Sequence, residues 1–239
     1  MYCMAKKISK IVIIFPAFNE EKHIDNFSSK ITAYIRSQLH DKKNMEFSQF
    51  SLDCILVDDG STDATAKIAQ KYSCYVISHL TNLGKGAALK TGCEFAFNHL
   101  HADYVIMMDA DEQHSPIDLP HFVEKIKDQH DIILGVRSFT GMPIFPILFN
   151  KLASVLVKVL YGTYIPDIPS GYKAISKKAY EDLKWIASGY EVEIEIAQKI
   201  AQKKLPFTTV SIQTIYPQYV RGMTPLDGIK VILRMFGLR

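Results

Sequence analysis

The segment from Tyr104 to His114, YVIMMDADEQH, runs an apolar stretch straight into two aspartates one residue apart, Asp109 and Asp111. Two carboxylates so placed repel and raise each other's pKa unless a cation joins them. If the chain turns where the strand ends, both face one crevice. Hard oxygen donors of this kind suit Mg2+ or Mn2+, and Mg2+ takes one or two carboxylates plus substrate phosphates. The local alternative is that the pair caps the following turn. A second stretch, LVDDGSTD, ends an apolar run at Asp58, an acceptor for ribose hydroxyls or a base N–H at a strand end. An Asp-Gly turn followed by Ser61, Thr62 and Asp63 as helix-capping residues accounts for the same letters locally. A third, NLGKGAALKTG, lacks the G-x-x-x-x-G-K-[ST] spacing of a P-loop. Gly84 and Gly86 still permit close backbone approach, and Lys85 can meet a phosphate. The plain alternative is a glycine-rich turn that opens a helix.

The elements around these residues follow from periodicity. KIVIIFPAF is a continuous β-branched run closed by Pro16, as expected of a strand buried on both faces. A helix follows from Asn19–Glu21 to about Gln38. SLDCILVDDG is a second buried strand, ATAKIAQKY a helix capped from Ser61–Asp63, and CYVISH a short third strand. AALKTGCEFAFNHL is a helix, ADYVIMMDAD the fourth strand, SPIDLPHFVEKIKDQ a helix with Pro116 in its first turn, and HDIILGVRS the fifth strand. Strands alternating with helices of this length make βαβ units and a mostly parallel sheet. Ligands of such sheets bind beyond the carboxyl ends of the strands. The stretches containing Pro16, Asp58, Lys85 and Asp109 all follow strands, so they converge on one rim.

The pattern changes after about residue 140. MPIFPILFNKLASVLVKVLYG is long and apolar, IPDIPSGYKAIS is a loop into a short element, GYEVEIEIAQKIAQKK is a helix, and FTTVSIQTIY is a final strand. TPLDGIKVILRMFGLR is a basic amphipathic helix candidate. The chain has 239 residues, 48% hydrophobic and 22% charged, which suits one α/β domain with a sizeable core. A net charge of +3 is too small to argue for nucleic acid. The four cysteines, Cys3, Cys54, Cys74 and Cys93, are scattered without a CxxC pair, and are expected to be reduced in a cytosolic setting. The N-terminus lacks the apolar core of a signal peptide, and no apolar run reaches spanning length. His99, His101 and His121 read as surface or helix-end residues, and Trp185 as packing. His114, beside the Asp pair, is ambiguous. Glu191 and Glu195 lie one turn apart, either as a solvated face or as lining of an acceptor site.

Taken in order, Pro16-Ala17-Phe18-Asn19-Glu20, Asp58-Asp59-Gly60-Ser61-Thr62-Asp63, Asn82-Leu83-Gly84-Lys85-Gly86 and Asp109-Ala110-Asp111 with Gln113-His114 form a series. This series resembles the family 2 glycosyltransferases of GT-A fold. The likeness is greatest to the branch of dolichyl-phosphate mannose and glucose synthases and bacterial polyprenyl-phosphate glycosyltransferases. It extends over about residues 8 to 225 and is most specific in the first 140. It implies an α/β, Rossmann-like sheet flanked by helices, with a catalytic domain over 1–215 and an amphipathic helix over 216–239. Pro16, Phe18 and Glu20 match the nucleotide pocket, with Phe18 where relatives usually carry Tyr. Leu56 and Asp58 match positions at the base and ribose. Asp109, Ala110 and Asp111 match the diphosphate-metal motif, and Gln113 a third metal-side position. Arg137 and Arg221 match positions near the phosphates of donor or acceptor. Asp167 matches the acidic residue before the SGYK turn, a base or acceptor-orienting group.

The activity so implied is metal-dependent, inverting transfer of a hexose from a UDP- or GDP-sugar, with Mg2+ or Mn2+ as cofactor. The acceptor implied is a polyprenyl phosphate at the cytoplasmic face of the membrane. Transfer to a sugar or protein hydroxyl, and a nucleotide-sugar-binding protein without turnover, are the alternatives. One departure counts against a phosphate acceptor: Pro146 stands where relatives often carry Arg. Residues 142–161 and 225–239 combine apolar and basic side chains, as interfacial helices do. Packing on the catalytic domain or on a second copy in a homo-oligomer is the other reading of both.

Overall fold

β-branched and aromatic residues at every position of IVIIF leave no polar face, and that strand lies in the interior of the sheet. The computed structural model describes residues 9–40, 50–72, 74–110, 114–138, 142 and 144–213. The first half comprises β1 (Ser9–Ala17), α1 (Glu21–His40), β2 (Phe50–Asp58), α2 (Thr65–Ala69), β3 (Tyr75–Ser78), α3 (Lys85–Asn98) and β4 (Tyr104–Met107). A 3-10 turn over Pro116–Asp118 leads into α4 (Leu119–Lys127) and β5 (Ile132–Arg137). The remainder comprises α5 (Ile144–Tyr161), β6 (Lys173–Ser176), α6 (Lys177–Leu183), α7 (Val192–Gln202) and β7 (Thr208–Ile212).

The strands form a seven-stranded sheet in the order β3-β2-β1-β4-β6-β5-β7. All neighbours are parallel except β6, which runs antiparallel to both β4 and β5. Alternate β1 residues serve opposite faces. Ile11, Ile13 and Phe15 pack with Phe27 and Ile31 of α1 and Phe122 and Ile126 of α4. Val12 and Ile14 pack with Leu89 and Phe97 of α3, Val157 of α5 and Ile200 of α7. The result is three layers with helices on both faces, the arrangement that a parallel sheet requires. Pro16 is tolerated in this central strand because β1 pairs with β4 only as far as Ile14↔Met107.

The chain reverses direction across the sheet at β1, with β2 on one side and β4 on the other, and the loops after these strands open one crevice. Because β6 is antiparallel, the residues that precede it, Asp167 to Tyr172, arrive at the same rim. Two expectations need correction. Of Ser61, Thr62 and Asp63, only Asp63 caps α2, its Oδ1 accepting from Thr65 N (2.9 Å); Ser61 Oγ and Asp63 Oδ2 serve amides at the start of α1 instead. Cys54 and Cys74 are not both reduced but joined as a disulfide, with Cα atoms 4.9 Å apart. The register explains it: Ile55 pairs with Tyr75, so the preceding residues face each other on adjacent strands. Cys93 is free and buried. Asp111, Gln113, Arg221 and the helix expected over 216–239 lie outside the described residues.

Candidate active site

The first two loops of the rim hold each other. Asn19, at φ 54°, donates its backbone N–H to Ser61 Oγ (2.9 Å), and its Oδ1 accepts from Thr62 N (2.9 Å). Glu20 N donates to Thr65 Oγ1 (2.8 Å) and Glu21 N to Asp63 Oδ2 (3.2 Å). The polar run after β2 therefore satisfies the otherwise unpaired amides at the start of α1. Phe18 projects half-exposed from this stitched pair, while Leu56 is buried beneath it. Asp58 is buried, and its Oδ1 accepts from Ser61 N (3.3 Å). Its neighbour Asp59 ties in the third loop: it accepts from Leu83 N (3.0 Å) and Gly84 N (2.7 Å), and lies 2.7 Å from His79 Nδ1.

The glycines of NLGKG serve a contact other than a phosphate. Gly84 has φ 98°, and a Cβ there would lie 2.5 Å from Ser188 O. The turn docks on the segment before α7: Ala87 N donates to Ser188 O (3.0 Å), and Trp185 Nε1 donates to Gly86 O (2.8 Å). Glu195 fixes that segment by accepting from Ile186 N (2.9 Å) and Ala187 N (2.7 Å). Glu195 is thus neither solvated face nor acceptor lining, and Trp185 packs with a specific polar purpose.

Lys85 reaches two carboxylates. Its Nζ lies 2.6 Å from Asp109 Oδ1 and 2.8 Å from Glu193 Oε1, and Glu193 Oε2 accepts from Lys173 Nζ. Charge alternates along Asp109, Lys85, Glu193 and Lys173. Burial alone would lower the Lys85 ammonium pKa, but Asp109 and Glu193 outweigh it and hold it above its usual range. Burial would likewise raise the Asp109 carboxyl; the Lys85 ammonium, with Lys173 behind it, holds it below the usual carboxylate range. Gly171 completes the seat, since a Cβ there would lie 2.3 Å from Asp109 Oδ2. His114 accepts from Asp109 N through Nδ1 (3.2 Å) and packs against Tyr172 in a tilted arrangement with ring centroids 5.1 Å apart. Burial pushes its imidazole down to about 4, so it is neutral.

Across the rim, Asp167 is saturated. Its Oδ2 accepts from Arg137 N (2.9 Å) and Arg137 Nε (2.9 Å). Its Oδ1 accepts from Arg137 Nη2 (2.8 Å) and Asn150 Nδ2 (3.0 Å). Its side chain is 0% exposed, against 15% for Arg137. Asn150 Oδ1 accepts from Ile168 N (3.2 Å), which ties α5 to this loop. Pro146 stands exposed in the first turn of α5, where the ring is tolerated.

Asp109 is the one expected metal donor among the described residues, where no three His, Cys, Asp or Glu side chains form a metal-holding cluster. Its oxygens, on a side chain 24% exposed, have the hard character that Mg2+ or Mn2+ prefers. Asp109, Ala110, Lys85 and His114 are gathered with Gly171, Lys173 and Glu193; Arg137 and Asp167 form a second group with Asn150. Sequence reasoning missed Glu193, Lys173, Asn150 and the tying role of Asp59. For Glu193 one signal was available, an acid in the first turn of a helix between apolar Val192 and Ile194, though Glu195 shares it.

This sheet order, the antiparallel β6 and a rim of Asp, Lys and Arg side chains define a GT-A glycosyltransferase fold. Residues 12–184 match the family described as Glycosyl transferase family 2, and the chain belongs to that family and is a glycosyltransferase. It is 32% identical to a UDP-N-acetylglucosamine–dolichyl-phosphate N-acetylglucosaminyltransferase of Methanococcus voltae, over 99% of this chain and 98% of the relative. It is 27% identical to a dolichol-phosphate mannosyltransferase of Pyrococcus furiosus, over 95% of this chain and 63% of that one. Among solved structures, it is similar to glucosyl-3-phosphoglycerate synthase from Mycobacterium tuberculosis in complex with Mn2+, UDP-glucose and phosphoglyceric acid. That likeness has a TM-score of 0.70 and 22% identity, over 97% of this chain and 81% of the other.

Proposed function

We propose that the chain transfers a hexosyl group from a UDP- or GDP-sugar to a polyprenyl phosphate, with inversion at the anomeric carbon. The observation that carries the acceptor class is the saturation of Asp167. A carboxylate offers about four lone-pair directions, and four donors occupy them. Asp167 therefore has no place to receive a proton from an acceptor hydroxyl. A phosphate oxyanion needs no base. Its oxygen attacks the anomeric carbon as the bond to the β-phosphate oxygen breaks, and the electron pair leaves with the nucleoside diphosphate. The names of the Methanococcus and Pyrococcus relatives support the same acceptor class.

In this reading Asp167 aims Arg137 at a phosphate, and Arg221 adds a second positive group. Phe18 walls the base, Pro16 and Leu56 shape the pocket floor, and Glu20 and Asp58 take polar groups of the nucleoside. Asp109 and Ala110 face the diphosphate, and Lys85 holds the Asp109 carboxylate in place. Asp109, with Asp111 and Gln113, would hold a divalent cation, which when bound would neutralise the charge that grows on the leaving diphosphate.

Peripheral attachment to the cytoplasmic face of a membrane fits the surface of α5. Ile144, Leu148, Leu152, Val155 and Val159 are all exposed at helical spacing, with Lys151 and Lys158 exposed beside them. An apolar stripe bordered by lysines suits the interface of an anionic bilayer. No helix among the described residues is long and apolar enough to cross a membrane.

The test is release of nucleoside diphosphate from UDP- and GDP-sugars with Mn2+, using a short polyprenyl phosphate or the matching alcohol as acceptor. Phosphate-dependent release supports the reading, and equal release with the alcohol overturns the acceptor class. Binding without release by any pair identifies a nucleotide-sugar-binding protein instead. Failure to co-sediment with anionic liposomes at low salt removes the membrane assignment.

A further inference from the structure

We infer that Glu193 is a positioning residue of the donor site, acting through Lys85 on Asp109. The inference rests on the proposed reading of Asp109 as the nucleotide-facing carboxylate. Glu193 cannot touch a donor itself: its side chain is 3% exposed, and that of its partner Lys173 is 5%. Only Asp109 and Lys85 open toward the rim, at 24% and 12%.

A lysine ammonium on a flexible stem is poorly fixed by one contact. Here it has two carboxylate anchors, at 2.6 Å and 2.8 Å, and the Tyr190 ring at 5.8 Å. Glu193 is the anchor that no ligand can compete for. It also shares its charge with Lys173, so the four groups balance as two acids and two bases. Without Glu193, two buried ammonium groups compete for Asp109, the carboxylate that the donor side needs. The same helix acts a second time through Glu195, which holds the backbone at 186–187 against the NLGKG turn. α7 thus sets both the backbone and the side chain of Lys85 from behind the site.

The experiment is a double-mutant cycle read by calorimetric binding of UDP and of GDP, each with Mn2+, alongside thermal unfolding. Lys85→Met leaves the Glu193–Lys173 pair intact and should weaken the better nucleotide about tenfold. Glu193→Gln should weaken it at least ~5-fold, and the double variant should bind no worse than Lys85→Met within about twofold, because one pathway is lost only once. If Glu193→Gln does not fold, Lys173→Met/Glu193→Gln removes both members of the pair and should show the same ~5-fold loss. Binding by the Glu193 variant within about twofold of wild type, even with a lowered melting temperature, overturns the inference, as do losses that multiply in the double variant. Wild-type protein that binds neither nucleotide instead overturns the donor-site reading beneath it.

Discussion

Replacing Asp167 with Asn tests whether this carboxylate aims Arg137 or takes a proton. The Asn amide keeps one acceptor oxygen and turns an NH2 toward two donors, Arg137 Nη2 and Asn150 Nδ2, or in the flipped orientation toward Arg137 N and Nε. Either way two of four accepted bonds become donor–donor contacts, and Arg137 loses its counter-charge at 15% exposure. Breaking a buried ion pair from one side costs about 3–5 kcal/mol of stability. Arg137, no longer held from Nε and Nη2, then loses its aim at the acceptor phosphate. One charge-assisted contact is worth ~1.5–3 kcal/mol, which corresponds to roughly 10- to 150-fold in kcat/KM. The expected result is measurable transfer to polyprenyl phosphate with a raised acceptor KM. Arg137→Lys should match it, since Lys cannot span both carboxylate oxygens, and the two losses should not multiply. The assay is nucleoside diphosphate release over an acceptor titration. A loss confined to kcat, with the acceptor KM unmoved and transfer to an alcohol abolished, would show that Asp167 is a base after all.

Three further outcomes follow from the geometry. His114 is neutral in the fold, with a pKa near 4 against about 6.5 unfolded, so the unfolded chain takes up a proton first as pH falls. Its contribution is whole above about pH 6.5 and declines by roughly 3 kcal/mol in total by pH 4, and urea midpoints of wild type and His114→Phe should converge over that window. Gly171→Ala sets a methyl 2.3 Å from Asp109 Oδ2, which Lys85 prevents from retreating. Overpacking of this kind costs ~1–3 kcal/mol, and nucleotide affinity measured by calorimetry should fall while Ser170→Ala leaves it unchanged. The Cys54–Cys74 disulfide closes a separation of 20 residues, worth about 3 kcal/mol in the chain-entropy account. A reducing agent should lower the melting temperature by roughly 6–12 °C, and Cys54→Ala/Cys74→Ala should not respond.

The strands and their order of appearance were legible because β1, β2, β4 and β5 each contain a short apolar run, such as IVIIF and CILV, and such runs need helices on both faces. The rim was legible too, since its residues sit just past those runs. β6 was not: KAIS is four residues long and carries no periodicity, so nothing local fixes its direction or its slot between β4 and β5. Glu193 stayed hidden because its partners come from α3 and β6, far away in sequence. The NLGKG glycines pointed correctly to close backbone approach but not to its object, the Ala187–Ser188 backbone. The scattered cysteines suggested free thiols because pairing depended on the β2–β3 register.

The antiparallel β6 has a consequence for how the molecule comes together. Among the described residues β5 pairs only with β6 and β7, and β4 only with β1 and β6. Without those four residues the sheet is two separate ribbons, one of four strands and one of two. Its insertion is a late, long-range event in chain order, slow in the sense that distant pairings are slow. The same insertion delivers Gly171 and Lys173 to Asp109 and Glu193, and Asp167 to Arg137. The step that makes the sheet continuous is therefore the step that completes the site, and a half-folded chain holds its acidic rim without the groups that aim it.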